Sequence, residues 1–148
     1  FASEATKPLE TQWIKRGLVA MEFRNFIRDP FDMTAALLAR CGGAARFVGN
    51  HDALYANFDA WMTQAQSYAQ NAPKAGADRT AQMADIAEKT GLFALLAKRG
   101  ITPATQRQCL ADKAATNQIM GLTQSLLKLT DQPGTPYLMI NGKKSDDV

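Results

Sequence analysis

The stretch Gly134-Thr135-Pro136-Tyr137-Leu138-Met139-Ile140-Asn141-Gly142 decides how this chain is read. A Thr-Pro step leads into a short apolar run, and an Asn-Gly pair follows it. Proline fixes its own φ and lacks an amide donor, so it belongs at the first residue of a strand or at a sheet edge. An X-Pro bond also takes the cis form at modest cost. Residues 137–140 suit a strand, and Asn141-Gly142 suits a type I′ hairpin turn. Taken locally, the step fits a plain trans Thr-Pro entering an edge strand as well as a cis bend.

Upstream of this phrase the pattern is mostly helical. Residues 1–16 carry Ala2, Ala5, Leu9, Trp13 and Arg16 at helical spacing, with Gly17 placed to close the helix. Residues 18–26 alternate Val19, Met21 and Phe23 against Ala20, Glu22 and Arg24, which predicts a strand. Asp29-Pro30 is a cap followed by a first-turn proline, and Met33, Leu37, Leu38 and Cys41 continue an apolar face as far as Gly42-Gly43. Residues 51–70 predict one amphipathic helix with a stripe of Leu54, Tyr55, Phe58, Trp61, Met62 and Ala65, capped by Asn50 or Asp52. Residues 71–78 form a Pro/Gly/Ala loop. Helical pattern returns at 80–90, 92–99, after Thr102-Pro103, and at 113–129, where Ile119, Leu122, Leu126 and Leu129 share a side. Pro133 and Gly134 stop the last helix.

Strands separated by helices argue for an α/β arrangement. A helical run of about 100 residues is too long for a single crossover, since that unit needs only about a dozen or more residues between its strands. It therefore reads as a subdomain, residues 30–130, inserted between residues 1–29 and 131–148. Both ends look cut: the first helix begins under way, and residues 143–148 leave a hairpin with no second strand. The expectation is a processed or partial portion of a longer chain.

Composition narrows the function. The chain has 148 residues, 46% apolar and 21% charged, with a formal net charge of +3. No run approaches the about 20 apolar residues of a membrane span. Lysine and arginine are scattered, and Lys143-Lys144 is followed by Asp146-Asp147, so nucleic-acid binding has no basic patch behind it. The sole histidine, His51, reads as an exposed helix-start residue, and no metal-ligand set surrounds it. Asp59, Asp85 and Glu88 fall on polar helix faces and read as solvated, and Phe58 with Trp61 reads as core. Two cysteines, Cys41 and Cys109, fit either one structural disulfide or two buried thiols.

Together these phrases resemble one family. Gly134-Thr135-Pro136 through Asn141-Gly142 is similar to the cis-proline loop and hairpin of DsbA-like thioredoxin-fold thiol-disulfide oxidoreductases. Residues 17–26 resemble that family's "G-x-V-x-x-x-F-R-x-F" strand, and 29–41 resemble the alanine-rich helix after it. Phe58-Asp59-Ala60-Trp61 resembles an aromatic patch of the inserted helices, and Cys109-Leu110-Ala111-Asp112 a "C-L-x-D" element. The resemblance implies a thioredoxin-like fold with a large inserted helical subdomain, incomplete at both ends. It implies a Cys-x-x-Cys at the start of the first helix. This sequence contains none, so the catalytic pair is expected just upstream of Phe1, with a strand ahead of it.

The resemblance also carries site expectations. Pro136, in cis, would pack against the dithiol, and the Thr135 backbone would hydrogen-bond an extended substrate as an added strand. Cys41 and Cys109 resemble the structural disulfide found in the helical domain of some members. The implied partners are protein or peptide thiol and disulfide substrates and a membrane redox partner. The implied location is the periplasm or cell envelope of a bacterium, with no cofactor. The alternative is a redox-inactive thioredoxin-fold module that holds peptides without exchanging disulfides.

Overall fold

The computed structural model describes residues 6–71 and 78–145. The chain opens with α1 (Thr6–Leu9), which widens into a single π-type turn (Glu10–Ile14). Gly17 ends it as expected. Its amide donates to the Ile14 carbonyl at 2.9 Å and the Leu18 amide to the Trp13 carbonyl at 3.0 Å, with Gly17 at φ +70°. That pair of bonds is the Schellman closure, which needs a left-handed residue. The part of the predicted first helix in residues 1–5 lies outside the described residues.

Among the described residues seven helices follow: α2 (Pro30–Ala39), α3 (Ala44–Ala56), α4 (Phe58–Asn71), α5 (Arg79–Lys89), α6 (Leu92–Ala97), α7 (Pro103–Leu110) and α8 (Lys113–Leu129). Their starts are set by local chemistry. Asp29 accepts from the Asp32 amide at 2.9 Å and Thr102 from the Thr105 amide at 3.2 Å, each with proline next in sequence. Asp112 caps α8 through the Ala115 amide at 2.9 Å. Each cap satisfies an amide that has no partner inside its own helix.

α2 is the hub, packing against α3, α5, α7 and α8. Leu37, Leu38, Ile86, Leu92, Leu96, Leu110 and Ile119 are fully buried around it. The buried apolar cluster draws all its members from residues 33–119. Buried side-chain donors inside it are hydrogen-bonded, while the Gln106 Oε1 acceptor has no partner among the described residues. Gln106 donates from Nε2 to the Phe93 and Ile101 carbonyls at 3.0 and 2.7 Å, and Trp61 donates from Nε1 to the Leu54 carbonyl at 3.0 Å.

Within the fold, the structure corrects four expectations. First, residues 51–70 are not one helix. α3 starts at Ala44 behind Gly43, whose φ of +83° suits glycine, and the helical path breaks at Asn57 before α4. Asn50 and Asp52 therefore cap no helix start. They lie inside α3, and Asn50 is buried. Second, residues 18–26 form no ladder, because no strand stands beside them among the described residues. The segment is pinned at its far end instead. The Ile27 amide donates to Thr123 Oγ1 at 3.0 Å, tying it to α8. Third, the hairpin does have a second strand: β1 (Met139–Ile140) pairs antiparallel with β2 (Lys143–Lys144). Fourth, Asp85 is not simply solvated. It lies half-buried and accepts from the Tyr68 hydroxyl at 2.7 Å.

That last contact predicts a pH effect. Burial first, then the bond to Asp85, pushes the Tyr68 phenol up to about 12 from its usual 10. The folded state thus holds this proton where the unfolded chain releases it, so the stabilisation is whole below pH 10 and is lost as pH rises toward about 12. In denaturant unfolding, the advantage of the wild type over Tyr68→Phe stays constant up to the lower value and shrinks above it. An advantage unchanged across that window would rule out the half-buried Tyr68–Asp85 bond.

Candidate functional site

After α8 the chain turns through residues 130–134, where the Gln132 amide donates to Thr130 Oγ1 at 3.2 Å. It then reaches Thr135-Pro136, and the peptide bond between them is cis. Both residues are exposed, while Tyr137 and Leu138 beyond them are half-buried. The hairpin follows directly. Asn141 and Gly142 both have positive φ, 50° and 79°, which is the type I′ geometry expected of Asn-Gly. Met139 faces Lys144 and Ile140 faces Lys143, and the Ser145 amide donates to the Leu138 carbonyl at 3.0 Å. Among the described residues the main-chain groups of Thr135 make no hydrogen bond to another backbone group.

Cys41 and Cys109 are joined as a disulfide, with Cα atoms 5.6 Å apart. Cys41 directly follows the C-cap of α2 and Cys109 stands in the last turn of α7. Both sites lie at the negative ends of helix dipoles, which disfavour a thiolate. Cys41 is 1% exposed, so an attacking sulfur would have to reach into the core. The bond staples α2 to α7 and stands among the helices, whereas Thr135 and Pro136 lie beyond α8.

His51 is placed differently from its sequence expectation. Its side chain is 12% exposed, and its ring sits 4.7 Å from Phe23 and 4.6 Å from Tyr55, centre to centre, with Phe47 at 5.8 Å. Its Nδ1 is 3.4 Å from Asp52 Oδ1. The rings continue through Tyr55 stacked on Phe58 and Phe58 edge-on to Trp61. Trp61 is core, as expected, but Phe58 is 40% exposed. The sequence held a signal for this row: Phe47, His51 and Tyr55 recur every four residues, one face of a helix.

Comparison with known proteins gives a consistent result. The family profile described as Thioredoxin matches residues 1–148. A Rickettsia bellii protein named "Putative protein-disulfide oxidoreductase" is 25% identical over 140 residues, covering 94% of this chain and 46% of the relative. A Rickettsia typhi protein of the same description is 25% identical over 140 residues, covering 94% of this chain and 44% of its own length. The chain thus spans less than half the length of these curated relatives. The crystal structure of a protein-disulfide isomerase from Novosphingobium aromaticivorans superposes with a TM-score of 0.85 at 27% identity. That match covers all of this chain and 76% of the other. With its cap-and-proline helices, its Thr-Pro hairpin and a family match from end to end, the chain belongs to the thioredoxin family, in a thioredoxin-like α/β fold enlarged by inserted helices.

Proposed function

We propose that the protein is a thiol-disulfide oxidoreductase of the DsbA-like type acting on protein substrates in the bacterial periplasm or cell envelope. The observation that carries this reading is the alignment of 94% of the chain with two relatives whose names describe a protein-disulfide oxidoreductase. The chemistry requires a reactive dithiol. The two cysteines of this sequence are bonded to each other among the helices, so the exchanging pair belongs to residues outside these 148. The proposed position is a Cys-x-x-Cys immediately ahead of α1, where the positive end of the helix dipole stabilises a thiolate.

In the exchange, one thiolate attacks a substrate disulfide sulfur. A mixed disulfide forms and a substrate thiolate leaves. The second thiol, as thiolate, then displaces the remaining substrate sulfur, so two electrons pass to the substrate and the enzyme is left as a disulfide. Run backwards, the same steps oxidise a dithiol substrate. Thr135 and Pro136 form the loop along which an extended substrate lies, held by main-chain bonds at Thr135. A redox partner in the membrane resets the dithiol. The Cys41–Cys109 bond suits an oxidising compartment.

The test uses the full-length protein with its natural upstream residues. It reduces insulin in the presence of dithiothreitol, and alkylating its reduced thiols abolishes that activity. The 148-residue portion alone is inactive in the same assay. A full-length protein that binds an unfolded peptide yet neither reduces insulin nor oxidises a reduced substrate overturns the proposal in favour of a redox-inactive peptide-binding module.

A further inference from the structure

The end of α6 gathers three cations that no carboxylate offsets. Lys98 is its C-cap, Arg99 follows, and Arg46 stands opposite in the first turn of α3. All three are exposed. Arg46 donates from Nη1 to the Arg99 carbonyl at 3.0 Å, and Arg99 donates from Nε to Asn50 Oδ1 at 3.0 Å. Asn50 lies one turn beyond Arg46 on the same face of α3, so both guanidinia are held along that face. Both of their acceptors are neutral. Among the described residues none of the three forms a salt bridge.

Two glycines make room for this arrangement. A Cβ at Gly42 would stand 2.7 Å from Arg46 Cδ, and one at Gly49 would collide with Arg99 Nη2. Each guanidinium is thereby placed before any partner arrives, with N–H donors still unused. Beside them a groove of about 250 Å³ runs between α4 and α6 and reaches Lys98. It is smaller than the roughly 300–1,000 Å³ of small-molecule sites but has room for a side chain. Ala60 and Ala94 keep it open, and Trp61 and Leu95 give it an apolar floor. The Trp61 indole N–H is bonded to the Leu54 carbonyl, so the ring offers the groove apolar surface alone. Among the described residues no acidic side chain lines it.

We propose that this surface docks an acidic segment of a partner protein, with an apolar side chain seated between Ala60 and Ala94 and neighbouring carboxylates accepting from Lys98, Arg46 and Arg99. The guanidinium fork matches a carboxylate, and three like charges steer an acidic chain toward the groove. The groove decides for a protein over an anionic membrane, because a flat lipid surface does not enter a recess one side chain wide. The surface is built from α3, α4 and α6 and their flanking turns, shares no residue with the Thr135-Pro136 hairpin, and does not depend on the disulfide chemistry.

The test is fluorescence anisotropy of a labelled peptide, a leucine flanked on each side by aspartates, titrated with the full-length protein at low salt. The comparison peptide carries asparagines in place of the aspartates. The aspartate peptide binds about tenfold or more tighter, the margin expected for a hydrogen bond between charged groups. That advantage shrinks as salt rises, since exposed charges are screened. Joint Arg46→Gln and Lys98→Gln replacement removes most of it. Ala94→Trp, which fills the groove, weakens binding of both peptides. Arg79→Gln, at an exposed arginine of α5, changes neither. Helical circular dichroism and melting temperature are recorded for each variant, and the comparison of the two peptides on the wild type stands even if a variant fails to fold. Equal affinity for the two peptides, or no saturable binding of either, overturns the proposal. So does an undiminished advantage in the folded double variant. Sedimentation with phosphatidylglycerol vesicles while the peptide stays unbound also overturns it, and makes the surface a membrane contact.

Discussion

Replacing both cysteines of the Cys41–Cys109 bridge with alanine lowers the unfolding temperature by roughly 10–20 °C. The bridge joins positions 68 apart, from the end of α2 to the last turn of α7. Closing a loop of that length restricts the unfolded chain by about 4 kcal/mol in the entropy account. The native side adds little to oppose the loss, since α2 and α7 remain packed through Leu37, Leu38 and Leu110. The double variant therefore keeps its helical circular dichroism at low temperature and loses stability rather than fold. Dithiothreitol applied to the wild type under mild denaturation produces the same shift, and applied to the variant produces none. A double variant that melts within a degree or two of the wild type would show that the bridge restrains nothing the helices do not already hold.

What could be read in advance follows the range of the interactions. Asp29-Pro30, Thr102-Pro103 and Gly17 were legible because a cap, a first-turn proline and a left-handed closing glycine act within four or five residues. α8 was legible for a similar reason: it begins after Asp112 and stops ahead of Pro133-Gly134. The break at Asn57 was not. Leu54, Trp61 and Ala65 keep one apolar stripe across it, and the Trp61 indole bonds back to the Leu54 carbonyl, so the periodicity runs on where the helix does not. Residues 18–26 have the side chains of a strand, yet a ladder is a property of two segments, and no partner lies among the described residues. At the candidate site, Thr135-Pro136 and the Asn141-Gly142 turn could be picked out from five or six letters. The place of Phe23 beside His51 could not, because only packing brings residues 18–26 against α3.

Asn50 shows most sharply what sequence alone hides, and its replacement is expected to have a large effect. In sequence it resembled a helix cap. In the fold it is 1% exposed, and its Nδ2 donates to the Ala39 and Cys41 carbonyls at 3.2 and 2.9 Å. Those carbonyls end α2, where the helix supplies no donors of its own. Its Oδ1 accepts from Arg99 Nε at 3.0 Å, fixing the turn after α6 to the same point. Asn50→Leu preserves size and removes all three bonds. Two buried acceptors are then left without donors at about 1–3 kcal/mol each, so the variant loses about 3 kcal/mol or more of unfolding free energy. Asn57 supplies the control. It too donates to a main-chain carbonyl, that of Ala53 at 2.8 Å, but it is exposed and water can replace the bond. Asn57→Leu therefore costs less than about 1 kcal/mol by the same measurement. Urea unfolding of both variants, with matching slopes, separates the two cases. Equal losses would mean that burial of Asn50 does not set its worth, and that the junction of α2, α3 and α6 is held by apolar packing alone.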